Sequence, residues 1–399
     1  MDHILETPRP LPVLGEYDVA VCGGGIAGIA SALSSARQGA KTLLVEREYA
    51  LGGLATLGLV TIYLPLDDGR GRQVSFGIAE ELLKLSVSHG YEGRYPTLWM
   101  RDATREEREA GQRYEAQFNA QLFAILCEKL LLEAGVSILY GSTVCDAVKV
   151  GDRISYLTLE NKSGRVAYRV RAVVDTTGDA DLCRIAQEES APYGVGNVLA
   201  AWYYSANAES RYKLKMLGYA EDPNKPDDVP QLSKRRYSGI EGEEVSGMVQ
   251  DAHAFLLRDF LSDGDLSDTH ILSTFATIPQ LRMTRRVAGR ATMTASDDHR
   301  PCEESVGLFS NWRKRGPVYE LPFGALRGKS LSNLFFAGRC LSADDTLWDI
   351  TRVIPVCSVS GEAAGIAAAI AATGKDPTAS GVQQVLRGRN VPLHEKEIV

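Results

Sequence analysis

Residues 18–46 read DVAVCGGGIAGIASALSSARQGAKTLLVE. Asp18–Cys22 is a short apolar run that ends in glycines, which is the pattern of a buried strand. Gly23–Gly28 make a turn, and Ile29–Gly39 continue as a helix of small residues. Lys41–Val45 form a second buried strand that stops at Glu46. Strand, turn, helix and strand make a βαβ unit of the usual length. The spacing Gly23-x-Gly25-x-x-Gly28 lets a pyrophosphate approach bare backbone at a helix N-terminus, where the helix dipole favours negative charge. An acid at the end of the second strand, Glu46, suits ribose hydroxyls. The stretch therefore predicts a dinucleotide site, with Gly23, Gly25, Ile26, Ala27, Gly28, Glu46 and Arg47 as its candidate residues.

The rest of the chain sets bounds on this reading. There are 399 residues, 44% hydrophobic and 24% charged, as in an ordinary globular enzyme of two domains. A net charge of −7 argues against a general nucleic-acid or acidic-membrane partner. The acids and bases of Arg101–Arg113 alternate, as on a solvated helix face. Seven cysteines without a CxxC pair predict reduced thiols and a cytoplasmic protein. The N-terminal stretch has no basic region followed by an apolar one, so no signal peptide is expected. The apolar run Ala363–Ala372 is too short to span a bilayer. The six histidines show no metal-ligand spacing, so no metal site is expected.

Three features further along favour FAD over a nicotinamide dinucleotide. Leu51–Thr56 (LGGLAT) is a second glycine turn close after the acid, useful to a cofactor that continues past the pyrophosphate. An amphipathic helix over Phe118–Ala134, a strand over Val136–Tyr140, a β-meander and a strand over Arg169–Val174 lead into Thr176-Thr177-Gly178-Asp179. A strand over Leu334–Ala337 ends in Gly338-Arg339 and is followed by a helix of small residues over Gly361–Ala372. A second nucleotide fingerprint is missing from the sequence.

With these pieces in order, the chain resembles the bacterial FAD-dependent oxidoreductase family. That family is distantly similar to the succinate dehydrogenase and fumarate reductase flavoproteins. The motifs that carry the resemblance include VAVCGGGIAGIASA, LGGLATLGLV, DTTGDADL, LRMTRRVAGR, FFAGRCLSADD and RVIPVCSVSGEAAGIAAA, spread from Asp18 to Ala372. The resemblance implies an α/β fold with a Rossmann-like FAD-binding domain of discontinuous segments and a second, α+β substrate domain. Residues 14–62, 114–190 and 325–380 are expected in the first, and 63–113 and 191–324 in the second. The resemblance also implies non-covalent FAD, with Gly52, Gly53 and Thr56 toward the flavin and Val144 toward the adenine. Gly178, Asp179, Gly338 and Arg339 would lie near the pyrophosphate or ribitol, and Gly361 would lie near the ring.

A flavin performs hydride chemistry itself, so the protein must supply position, electrostatics and a base. Arg352 falls in the loop that the resemblance puts beside the flavin. Relatives often carry His where this chain has Asp345, which makes Asp345 the candidate base. Of the run Arg282-x-x-Arg285-Arg286, Arg285 is the chosen candidate to clamp an anion. The leading expectation is a dehydrogenase or oxidase that takes hydride from a small polar metabolite, with an unassigned electron acceptor. A reductase of an activated C=C bond, a flavin-dependent RNA-modifying protein and a non-catalytic FAD-binding protein remain as alternatives.

Overall fold

The computed structural model describes residues 4, 8–207, 211–223, 225 and 229–398. The expected surface loop Glu221–Pro230 lies outside them at 224 and 226–228, and the N-terminal stretch at 1–3 and 5–7. The first strand, β1 (Val13–Cys22), is solvated over its first half and fully buried at its end. It runs into α1 (Ile26–Ala36), which begins three residues earlier than the small-residue pattern suggests. Next comes β2 (Thr42–Val45), parallel to β1 with Val19 opposite Thr42 and Cys22 opposite Val45. The amphipathic helix α2 (Ala120–Glu133) then delivers β3 (Ser137–Leu139) to the outer side of β2, again in parallel.

The meander is β4 (Thr143–Val150), β5 (Arg153–Asn161) and β6 (Gly164–Asp175). Its last strand is long enough to do two jobs. The N-terminal half of β6 pairs antiparallel with β5, while its length also lies parallel to β1, from Ala167 to Asp175. Side chains alternate between the two faces of the sheet. Val19, Val21 and Leu44 join the larger core with α1. Ala20, Cys22, Leu43 and Val45 join a second core under the meander.

A separate three-stranded antiparallel sheet is built from β7 (Tyr203–Asn207), β8 (Arg211–Lys215) and β9 (His270–Phe275), in the order β8-β7-β9. The 21-residue helix α3 (Gly242–Ser262) packs on it through Leu256 and Phe260, which share an apolar cluster with Tyr203.

The chain returns to the large sheet at β10 (Leu334–Phe336), parallel to the end of β6. Then follow α4 (Asp345–Thr351) and α5 (Ile354–Ala372). Every residue of α5 except Ile370 is buried. By length and apolar composition α5 could cross a membrane, longer than the Ala363–Ala372 run suggests, but 94% of its apolar window is buried inside the fold. It is a core helix laid along α1. The hydroxyls of Ser31, Ser34 and Ser35 donate to the carbonyls of Gly361, Glu362 and Gly365 at 3.0, 2.8 and 3.0 Å. These contacts advance together along both chains, so α1 and α5 run parallel and point both N-termini the same way.

Candidate functional site

A long cleft opens where those two N-termini meet the ends of β1, β2 and β6. It encloses about 1540 Å³, its solvent-open mouth included. Its walls come from both glycine turns, the ends of β2 and β6, Ser142–Val144, Ala337–Arg339 and the start of α5.

At the first turn each glycine has a different reason. Gly23 has φ +103°, and a Cβ there would sit 2.6 Å from the Thr176 carbonyl oxygen. Gly28 lies against the backbone of Gly23, where a Cβ would come within 1.8 Å of its carbonyl oxygen. Gly25 is the N-cap of α1, and a Cβ on it would meet no atom of the described residues within 4 Å. The space over Gly25 is therefore kept clear for something other than protein. No side chain caps α1. The amides of Ile26, Ala27 and Gly28 precede the first intrahelical bond, which Ile29 donates to Gly25 at 2.9 Å. Such a helix end suits an anion.

Glu46 is buried beside this turn. Its Oε2 accepts from the Gly24 amide at 2.5 Å and its Oε1 from the Glu48 amide at 2.8 Å. Burial raises its pKa, and the two amides pull it back down. Each oxygen keeps a further lone pair for a hydroxyl. Gly52, with φ +103°, and Gly53, with φ +55°, fold the second turn onto the first, and the Gly52 amide donates to the Gly24 carbonyl at 2.8 Å. Arg47, Glu48 and Val144 complete the wall at that end.

On the opposite wall, Thr176 Oγ1 donates to the Cys22 and Gly23 carbonyls at 2.9 and 2.8 Å, tying β6 to the turn. Gly178, with φ +84°, leaves room for Arg339, whose Nε donates to the Gly178 carbonyl at 3.2 Å. Arg339 Nη2 pairs with Asp179 at 2.9 Å, and Asp179 also accepts from Thr284 Oγ1 at 2.7 Å. Asp179 and Arg339 thus line the cleft while satisfying each other.

Five of the sequence candidates are not in the cleft wall, Gly28 among them because it packs on Gly23. Gly361 is not at a helix start. The helix begins at Ile354, and Gly361 lies mid-helix, where a Cβ would be 2.5 Å from the Ala27 carbonyl oxygen. It is a packing glycine between α5 and α1. Thr56 braces the second turn from behind, donating to the Leu51 carbonyl at 2.5 Å. Asp345 is the half-exposed first residue of α4, ion-paired with Arg286 at 3.2 Å. Arg285 is buried in a short strand, where its charge favours the ionised form of Asp181 against the burial that disfavours it.

Arg352 does reach the cleft. Its Nε and Nη2 bond the buried Asp349 at 3.1 and 2.6 Å. Arg313 Nε bonds the same carboxylate at 2.5 Å. Burial would raise the Asp349 pKa, but the two arginines hold it below the usual range. Cys357 also lines the cleft, and burial pushes its thiol up to about 12, so it is not a thiolate at neutral pH. The remaining wall at this end is Leu54, Val60, Ile62, Leu64, Ile278, Leu281 and Arg282. The apolar residues carry no motif, which hid them in the sequence. Arg282 stood in the basic run from which Arg285 was chosen.

The family described as FAD dependent oxidoreductase matches this chain over residues 18–229 and 197–385. Thioredoxin reductase from Ureaplasma parvum serovar 3 (strain ATCC 700970) is 33% identical over 76 residues, which are 19% of this chain. The match spans 25% of that reductase's length. A geranylgeranyl bacteriochlorophyll reductase-like protein from Thermoplasma acidophilum aligns over 94% of this chain and 84% of its own, at 15% identity and a TM-score of 0.47. The Mycobacterium smegmatis Sdh1 complex aligns over 94% and 72%, at 12% identity and a TM-score of 0.46.

Proposed function

The chain belongs to the FAD dependent oxidoreductase family, and from that premise we propose that it removes hydride from a small polar metabolite as a dehydrogenase or oxidase, with FAD held non-covalently. One observation carries this reading. Two parallel helices present their N-termini to one cleft, and α5 starts seven residues before the level at which Gly361 meets Ala27 near the start of α1. At 1.5 Å per residue, α5 begins about 10 Å further out. A cofactor with phosphates at one site and an electron-rich ring further along suits two such helix ends.

The residues fit the cofactor. Gly25 and the amides of Ile26–Gly28 would take the pyrophosphate, and Glu46 would accept from ribose hydroxyls. Gly52, Gly53, Gly178, Asp179, Gly338 and Arg339 would line the path between the two helix ends. When bound, FAD supplies a two-electron acceptor for hydride. The Leu54, Val60, Ile62 and Leu64 wall would keep water from the reacting carbon, and Arg352 would hold its charge fixed through Asp349. The lone, neutral Cys357 gives no support to a dithiol relay.

The test is purification with the flavin spectrum, then anaerobic mixing with a panel of hydroxy, amino and saturated metabolites. Bleaching by at least one of them, reversed by an acceptor, is the expected result. A flavin that no metabolite bleaches, but that an activated alkene reoxidises after chemical reduction, would replace this reading with the reductase.

A further inference from the structure

We propose that Arg282 is a built subsite for a carboxylate group of the substrate. This rests on the function proposed above and names the chemical class of that metabolite. Arg282 lies in the cleft wall at the end shared with Arg352, Val353 and Ile354, the residues at the start of α5. Its residue surface is 94% buried, and its Nη1 has no hydrogen-bond acceptor among the described residues. A buried guanidinium nitrogen without an acceptor is costly, and such groups in native folds call for a partner.

The protein holds this side chain in place from several directions. Buried Asn197 accepts from the Arg282 and Met283 amides at 2.8 and 3.0 Å, and donates to the Met283 carbonyl at 2.6 Å. Arg282 Nη2 donates to Gln280 Oε1 at 2.7 Å, and Gln280 in turn donates to the Gly58 carbonyl at 2.7 Å. The Trp202 ring lies beneath the guanidinium at 6.0 Å. The positioning is complete, and the charge is not. Arg313 and Arg352 are both bonded to Asp349, so the one carboxylate of this cluster is already shared by two arginines. Arg282 adds a third positive charge: burial disfavours it, Arg352 and Arg313 repel it, and Asp349 attracts it. The start of α5 adds a positive helix end on the same wall.

The missing member is an anion supplied from the cleft. One free guanidinium nitrogen beside an aromatic face suits a flat, singly charged carboxylate. A phosphate dianion asks for more donors than are left unused here.

The test uses the purified holoenzyme. It is titrated with acetate, malonate, 2-hydroxy and 2-amino acids, inorganic phosphate and the neutral malonamide. Binding is read from the flavin absorbance change and from the melting temperature. We expect a saturable response to at least one carboxylate and none to malonamide. Arg282→Gln should weaken that carboxylate roughly 10- to 100-fold with the FAD content unchanged. Arg282→Lys, which keeps charge but loses the planar fork, should fall between them and covers the case in which the Gln variant fails to fold. Three results would overturn the proposal: no response to any carboxylate, equal affinity in wild type and both variants, or tighter binding of phosphate. A protein that holds no FAD defeats the earlier reading. One that holds FAD and is bleached by neutral metabolites as well in Arg282→Gln as in wild type defeats this inference alone.

Discussion

At Gly25 an added Cβ meets no atom of the described residues within 4 Å, whereas at Gly28 it falls 1.8 Å from a carbonyl oxygen. The two glycines of one motif therefore predict different failures. Gly25→Val should fold and lose FAD, with binding weakened at least about 100-fold because the side chain occupies the phosphate's space. Gly28→Val should not yield folded protein. Cofactor content and circular dichroism, measured on both, check the pair. A second prediction concerns Asp175, fully buried at the end of β6 and pushed up to about 6 by burial, against amide and hydroxyl donors from Thr177 and Cys183 that pull it down. Folding favours its protonated form. Its contribution to stability is thus full below about pH 4 and is lost as pH rises toward 6. The loss should be on the order of 3 kcal/mol, read from denaturant unfolding at several pH values, and Asp175→Asn should remove that slope. The sequence motif located Gly25, Gly28 and Glu46 because spacing along one chain encodes the turn. It could not locate Arg282 over Arg285, because which of two nearby arginines faces the cleft depends on Asn197 and Gln280.

The helix α5 shows the same limit at the next scale. The resemblance would put its small residues near the ring, but from Gly361 onward they pack on the backbone of α1 instead. The helix begins seven residues before Gly361, and RVIPVCSVS hides that start because its helical part is buried on every side and shows no polar face to set a period. Pro355 in the first turn was the signal available, since proline suits that position. The consequence is testable at Gly365, where a Cβ would sit 2.2 Å from Ser34 Oγ and 2.3 Å from the Ser31 carbonyl oxygen. Gly365→Ala should push the helices apart and destabilise the protein by about 1–3 kcal/mol. A melting curve that did not move would mean that the α1–α5 contact is looser than these distances. Since Gly365 is away from the cleft, FAD affinity in the folded fraction should change little.

The cleft gathers segments that are far apart in sequence: residues 22–64, 142–144, 176–182, 278–282, 337–339 and 352–357. A single βαβ unit was legible because its parts are neighbours in the chain. The apolar end of the cleft was not, because residues as distant in the chain as Val60 and Ile278 share its wall only through the fold. That topology makes the cofactor a tie between segments. A ligand that binds the folded state alone stabilises it by RT ln(1 + [L]/Kd), or about 2.7 kcal/mol at 100 times Kd. Removing FAD, by dialysis against high salt or by mild acid, should therefore lower the melting temperature by several degrees, and adding FAD back should restore it in a concentration-dependent way. Gly25→Val provides the comparison, since it keeps the protein contacts and loses the phosphate's place. It should melt near the temperature of the FAD-free wild type and should not respond to added FAD. If the variant instead rises with FAD as the wild type does, the cofactor's phosphates do not sit over Gly25. If removal of FAD leaves the wild-type melt unchanged, the segments around the cleft are held by their own contacts, chief among them the Asp179–Arg339 pair and the Thr284 bond to Asp179. Asp179→Asn would then show the larger destabilisation of the two treatments.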